Sequence, residues 1–245
     1  MFERAHHRQV AEVLAALNAR LLADNHCLFG GGTAIALRHG EYRESVDIDF
    51  LVSDVAGYRC LRQLATSSEG LRALAREGAS LQQVREVRAD QYGIRSAVRV
   101  GETDIKFEIV LEARIALEAP GAADRIDGIA TLTPLDMAAS KLLANSDRWA
   151  DDSVFSRDLI DLAMMQPGKP LLQRAADKAR LAYGDSIDAD LAKAADALLA
   201  RPGRMERCMH MLQMTAIAPA LLRKHIKALL PRTPRAPRAK RNPGT

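Results

Sequence analysis

The sequence predicts an α+β fold: a mixed β-sheet with flanking helices, followed by a helical C-terminal region. Three observations carry this expectation. In residues 46–52 and 104–111 apolar and polar residues alternate with the period of two that belongs to strands. In residues 10–22, Val10, Val13, Leu14, Leu17, Leu21 and Leu22 recur at helical spacing. From Thr133 the pattern turns helical and stays so to about Leu230.

Taken in order, the first helix should cover most of Arg4 to Asp24 and lie on a sheet. Cys27-Leu28-Phe29 reads as a short buried strand that runs into Gly30-Gly31-Gly32, with Thr33 capping a helix that Gly40 ends in a left-handed turn. In 46–52 the apolar Val46, Ile48, Phe50 and Val52 alternate with Asp47, Asp49 and Leu51, so both aspartates share one strand face. A helical stretch over 58–76 precedes strand-like segments near 81–87, 92–100 and 104–111. In the last of these Ile105, Phe107, Ile109 and Leu111 point one way, while Lys106, Glu108 and Glu112 point the other. Thr133, Pro134 and Asp136 supply a cap, a first-turn proline and an acidic third position for the next helix.

The change of character near residue 130 places one domain over 1–130, a helical domain over 131–230 and a tail over 231–245. The tail PRTPRAPRAKRNPGT has the proline and charge content of a disordered segment. Its five basic residues exceed the formal net charge of +4, so the body before it is nearly neutral. It serves either as a solubilising extension or as an arm for nucleic-acid phosphates. The 245 residues, 48% of them hydrophobic, are enough for a substantial core. No run approaches the roughly 18 apolar residues of a membrane span, and the N-terminus lacks a signal pattern, so the expected location is cytoplasmic, with no membrane partner. Cys27, Cys60 and Cys208 have neither disulfide nor zinc spacing and read as reduced, mostly buried residues.

Two carboxylates two residues apart on a strand face stand about 7 Å apart at the backbone and can converge on divalent cations. A pair of Mg²⁺ ions about 4 Å apart would serve an in-line displacement at phosphorus. Gly31 and Gly32, having no side chains, let backbone N–H groups approach a phosphate at a helix N-terminus. Glu108 can face the aspartates from a neighbouring strand. Each signal alone also fits a tight turn or a solvated strand face, and their order is what points to nucleotide chemistry.

The segment GGT, an ALRHG helix end and then R-x-S-x-D-I-D-F, in 31–50, resembles the first motif of the AbiEii nucleotidyltransferase toxins of abortive infection, within the DNA polymerase β-like superfamily. Residues 133–162, TPLDMAASKLLANSDRWADDSVFSRDLIDL, are similar to that family's lysine segment and its R-D-x-x-D-L. The resemblance implies a nucleotidyltransferase-type sheet and a Mg²⁺-dependent transfer of a nucleoside monophosphate from a nucleoside triphosphate to an acceptor. It also implies a toxin–antitoxin role in phage defence, with tRNA as acceptor and a cognate antitoxin as partner.

By the same resemblance Gly31, Gly32 and Thr33 receive the phosphates, Asp47 and Asp49 bind Mg²⁺, and Lys141 contacts the triphosphate. Glu108 stands as third carboxylate where the family often has aspartate. Lys141 also reads as a lysine reaching to water, and Arg157 and Asp161 also read as a pair across one helical turn, which leaves Asp158 the better site candidate. Arg38, Arg43 and Ser45, between the glycines and the aspartates, read as nucleotide clamps or as solvated loop residues. Two other functions suit the same residues: a nucleotidyltransferase for a small antibiotic-like acceptor, and an inactive nucleotide- or partner-binding protein.

Overall fold

The computed structural model describes residues 2–230; the tail beyond Leu230 lies outside the described residues. Helices α1 (Ala5–Ala16) and α2 (Ala19–Asp24) lead into strand β1 (Leu28–Phe29), helix α3 (Gly31–Arg38), strand β2 (Ile48–Val52) and helix α4 (Val55–Ala65). After a 3-10 turn at Gly70–Leu74 come β3 (Gln82–Ala89), β4 (Gly93–Val100) and β5 (Thr103–Leu111), then a small hairpin of β6 (Arg125–Ile126) and β7 (Ile129–Ala130). Six helices complete the described chain: α5 (Pro134–Arg148), α6 (Arg157–Met165), α7 (Lys169–Tyr183), α8 (Ser186–Ala200), α9 (Arg204–Met211) and α10 (Pro219–Leu229). No described helix is long and apolar enough to cross a membrane.

The main sheet has the order β1-β2-β5-β4-β3, with β2 and β5 parallel and the other neighbours antiparallel. Its apolar face follows from the alternation in the strands. Ile48, Phe50 and Val52 of β2, Ile105, Phe107 and Ile109 of β5, and Ile94 and Val98 of β4 are all buried. Phe29, Phe50 and Phe107 form a row of tilted rings across β1, β2 and β5, with centroids 5.6 and 5.7 Å apart. These side chains share one core with α1 and α4 and with the helices after residue 133, so the sheet and helical halves are continuous in packing. Thr133 caps α5 by accepting from Asp136 N–H at 3.2 Å, with Pro134 in its first turn.

Four expectations are corrected here. The single helix over Arg4–Asp24 is two, because Leu17 is extended and bridges Ala75 while the Asn18 side chain caps α2 from Leu21 N–H. The predicted helix over 58–76 ends at Ala65 and is followed by a short 3-10 turn. The strand starts at Ile48 rather than Val46, which is 37% exposed. The preceding loop spends its backbone donors elsewhere, Glu44 N–H on Leu212 O and Ser45 N–H on His7 Nε2. Thr33 does not cap α3; Gly30 occupies that position, and Thr33 lies fully buried inside the helix. Of the cysteines, all free, Cys27 and Cys208 are buried and Cys60 is exposed.

Candidate active site

The turn between β1 and α3 is built against the aspartates. Gly30 N–H donates to Asp49 O at 2.8 Å as the last bond of the antiparallel β1–β2 pair. Gly31 has φ +66°, and a Cβ there would sit 2.5 Å from Asp49 Oδ2, so both backbone and space require glycine. The Thr33 hydroxyl donates to Asp47 O at 2.6 Å and meets Ser45 Oγ at 2.9 Å. It therefore ties the start of α3 to the strand that carries the acids, and its oxygen is not turned to the cleft.

Asp47 and Asp49 open into a cleft of about 250 Å³. Gly31, Gly32, Arg43 and Ser45 line it on the same side as the acids. Lys141 and Arg148 of α5 and Arg157 at the start of α6 line it from the helical half. Burial, then the neighbouring Asp47 and Glu108, push the Asp49 carboxyl above its ordinary range. Asp49 and Glu108 are register partners across the parallel pair, which explains the coupling. The Glu108 carboxylate itself is held by Lys106 at 2.8 Å and Arg95 at 3.4 Å, and Glu108 does not line the cleft.

Behind the cleft's other wall the charges are paired. Asp161, fully buried, accepts from Tyr42 at 2.6 Å, from Arg43 at 2.6 and 2.9 Å, and pairs with Lys141 at 2.7 Å. Asp158 pairs with Lys141 at 2.9 Å and receives two bonds from Arg148 at 2.6 and 2.9 Å. Burial opposes ionisation of both aspartates, but their cationic neighbours outweigh it and hold both carboxyls below the usual range. For Lys141, burial is likewise outweighed by Asp158 and Asp161, so the amine stays charged. Asp161 reaches Arg43 across 118 positions of sequence rather than Arg157 across one turn. Arg157 makes no ion pair among the described residues.

Most of the sequence candidates thus meet at one place. Arg38 does not; it binds Asp124 at 3.1 Å and Thr131 at 2.9 Å, beside the small hairpin. The cleft also contains residues that sequence reasoning passed over: Leu51 and Val110, Glu112, Arg114, and Ser140 and Ala144. Glu112 and Val110 continue the period-two face of Glu108, and Ser140, Ala144 and Arg148 fall at i, i+4 and i+8 on α5, so the periodicities did carry a signal.

Asp47 and Asp49 suit a hard divalent cation. Both are carboxylates, Asp49 is crowded by like charge that a cation would relieve, and Mg²⁺ characteristically takes one or two protein carboxylates with the rest of its shell from phosphates and water. Among the described residues no three His, Cys, Asp or Glu side chains gather as a metal centre.

The family described as nucleotidyl transferase AbiEii toxin, Type IV TA system, matches residues 12–241, nearly the whole chain. The chain belongs to the AbiEii nucleotidyl transferase toxin family. This family membership makes it a nucleotidyltransferase of toxin–antitoxin type. A crystal structure of an H. pylori protein proposed to be a nucleotidyltransferase aligns over 93% of this chain and 97% of its own, with 20% identity and a TM-score of 0.42. No match was found among curated proteins.

Proposed function

We propose that this AbiEii protein transfers a nucleoside monophosphate from a nucleoside triphosphate to RNA, with tRNA as the acceptor, in a Mg²⁺-dependent reaction. The observation that carries the reading is the meeting of the Asp47–Asp49 pair, the Gly31–Gly32 turn and the unpaired Arg157 in one cleft. In the reaction an acceptor hydroxyl gives up its proton to solvent as its oxygen forms a bond to the α-phosphorus, the bond from that phosphorus to the bridging oxygen breaks, and pyrophosphate leaves. Asp47 and Asp49 would hold two Mg²⁺, which when bound neutralise phosphate charge and lower the pKa of the attacking hydroxyl.

The remaining work falls to the chain. The glycine turn allows phosphate oxygens close to backbone N–H groups at the α3 N-terminus. Among the described residues Arg157 lines the cleft without an ion pair and can meet a phosphate, whereas the Lys141 amine is occupied by two aspartates and acts on the triphosphate through its field. Glu108, kept in place by Lys106 and Arg95, adds negative potential beside Asp49. An RNA acceptor is supported by the polar sheet face beyond the acids, where Arg85, Arg88, Arg95, Arg99 and Lys106 are exposed on β3, β4 and β5. The family's toxin–antitoxin description supports a cognate antitoxin as the counterpart.

The test incubates the purified protein with each labelled nucleoside triphosphate, Mg²⁺ and total RNA. Label should move to tRNA, stop with chelator and stop in Asp49→Asn. Transfer that persists in that variant, or that never reaches RNA with any of the four nucleotides, overturns the proposal.

A further inference from the structure

Between α5 and α6 the backbone does something found nowhere else among the described residues. Two consecutive non-glycine residues, Phe155 (φ +52°, ψ +34°) and Ser156 (φ +53°, ψ +26°), lie in the left-handed region. For a residue with a Cβ that region is small and unfavourable. Glycine would accept the same angles freely. Two strained residues in succession persist only where their surroundings over-determine them.

Here they do so from both sides. Phe155 packs, partly buried, against the hydrophobic core, and its N–H donates to Asp152 O at 3.3 Å. Asp152 is held to α9 by Arg204 at 2.6 Å. Beyond the turn Asp158 is gripped by Lys141 and Arg148, and Asp161 by Arg43 and Lys141, so α6 cannot swing round to relieve the strain. Ser156 stands at the N-cap of α6 yet makes no side-chain cap bond, although an extended serine there is a favoured capping residue. The turn thus forgoes a cap as well as bearing strain. What it delivers is the next residue, Arg157, the first of α6, which lines the cleft and makes no ion pair among the described residues. With right-handed angles at both positions α6 would begin two residues earlier, and Arg157 would lie within the helix instead of at its mouth.

We propose that the Phe155–Ser156 turn positions Arg157, fixing the direction of its backbone so that the guanidinium is already set at the cleft when phosphates arrive. The proposal rests on the phosphate-binding reading of Arg157. The left-handed well is narrow for a residue with a Cβ, so a chain forced into it keeps little freedom. Glycine at Ser156 would remove the strain and the constraint together, because glycine reaches both signs of φ. Ordering Arg157 would then fall on the binding step and weaken it. Strain in this turn is exchanged for a preset cation, and Ser156 is a positioning residue that itself touches no substrate.

Two substitutions at Ser156 and one at Arg157 test this, read by calorimetry of inorganic triphosphate with Mg²⁺ and by KM and kcat in the transfer assay. Ser156→Gly should keep or raise the melting temperature, weaken inorganic triphosphate by about fivefold or more, and raise KM for the nucleoside triphosphate at nearly constant kcat. Ser156→Asn keeps a side chain and enters the left-handed region readily, so it should retain wild-type affinity and KM. In an Arg157→Ala background Ser156→Gly should have no further effect on either measurement. Wild-type affinity in Ser156→Gly, an equal loss in Ser156→Asn, or a loss that persists undiminished without Arg157 overturns the positioning role while the proposed function stands. If the wild-type protein binds triphosphate without transferring to RNA, the proposed function falls and the calorimetric comparison alone decides the role of the turn. If it binds no triphosphate at all, both fall together.

Discussion

Two charged clusters face each other across the cleft, and they are built on opposite plans. On the sheet side Asp47, Asp49 and Glu108 bring like charges together, and burial, with that crowding added, raises the Asp49 pKa. On the helical side Lys141 and Arg148, with Arg43 reaching across from the loop before β2, surround Asp158 and Asp161 with opposite charges, which outweigh burial and lower the pKa of both aspartates. The first arrangement is unfavourable until something positive arrives. The second is complete as it stands. On the proposed function the crowded acids are where a cation would bind, whereas the saturated pairs tie Arg43 to α5 and α6.

Four tests, each of one residue or one pair, would break or sharpen that contrast. Asp47→Asn and Asp49→Asn should each lower transfer by about a thousandfold or more, roughly 4 kcal/mol, while thermal melting holds or rises because repulsion is removed. A fall in melting temperature would place these acids in the architecture instead. Asp161→Ala should cost about 3–5 kcal/mol of stability, since Arg43 is left buried without its carboxylate and Lys141 keeps only Asp158; denaturant titration reads it, and an unchanged midpoint would deny the cluster its structural role.

The pair Glu108 and Glu112 divides more finely. Glu108→Gln should lower transfer about tenfold at nearly constant stability, because its partners Lys106 and Arg95 are half-exposed. Glu112→Gln should reverse the balance, costing about 1–3 kcal/mol of stability through the lost Arg114 pairing, with little effect on transfer to RNA at saturating nucleotide. Equal behaviour of the two would remove Glu108 from the site.

The smallest effect concerns His7, which links α1 to the Ser45 loop between the clusters. Buried, it accepts from Ser45 N–H at 3.2 Å and holds Glu41 at 2.7 Å, and burial lowers its pKa despite Glu41. As pH falls below about 6.5 the unfolded chain takes up this proton before the folded one does. Stability from neutral His7 is thus full above that pH and declines below it, by at most about 1.4 kcal/mol per pH unit. His7→Gln should flatten the melting profile between pH 7 and 5; an equally steep profile would assign the slope to other groups.

How much of this could be read from residue order depends on the range of each interaction. The alternation of Ile105, Phe107 and Ile109 with Lys106 and Glu108 is local, and it marked the sheet's two faces correctly. The Thr133-Pro134-x-Asp136 cap is local as well. The break at Asn18 left a weak sign, a capping residue inside an apolar run, which the helical period overrode. The partner of Asp161 left none, because a pairing with Arg157 one turn away is as plausible in sequence as one with Arg43 118 positions away. The Glu112–Arg114 pair escaped notice because Glu112 looks like one more polar residue on a solvated face until α5 closes over it.

The ion pair between Arg43 and Asp161 also sets an order of events during synthesis. Until Asp161 has emerged, the nascent chain has no counter-charge for a guanidinium that must be buried beside the glycine turn, and β2 must also wait for β5 to become its parallel neighbour. Contacts of such long sequence separation form late and slowly. A fragment that stops before α6 carries both acids, the glycines and α5, yet lacks the carboxylates that hold Arg43, Lys141 and Arg148. Transfer activity should therefore appear only in a chain that extends through α6.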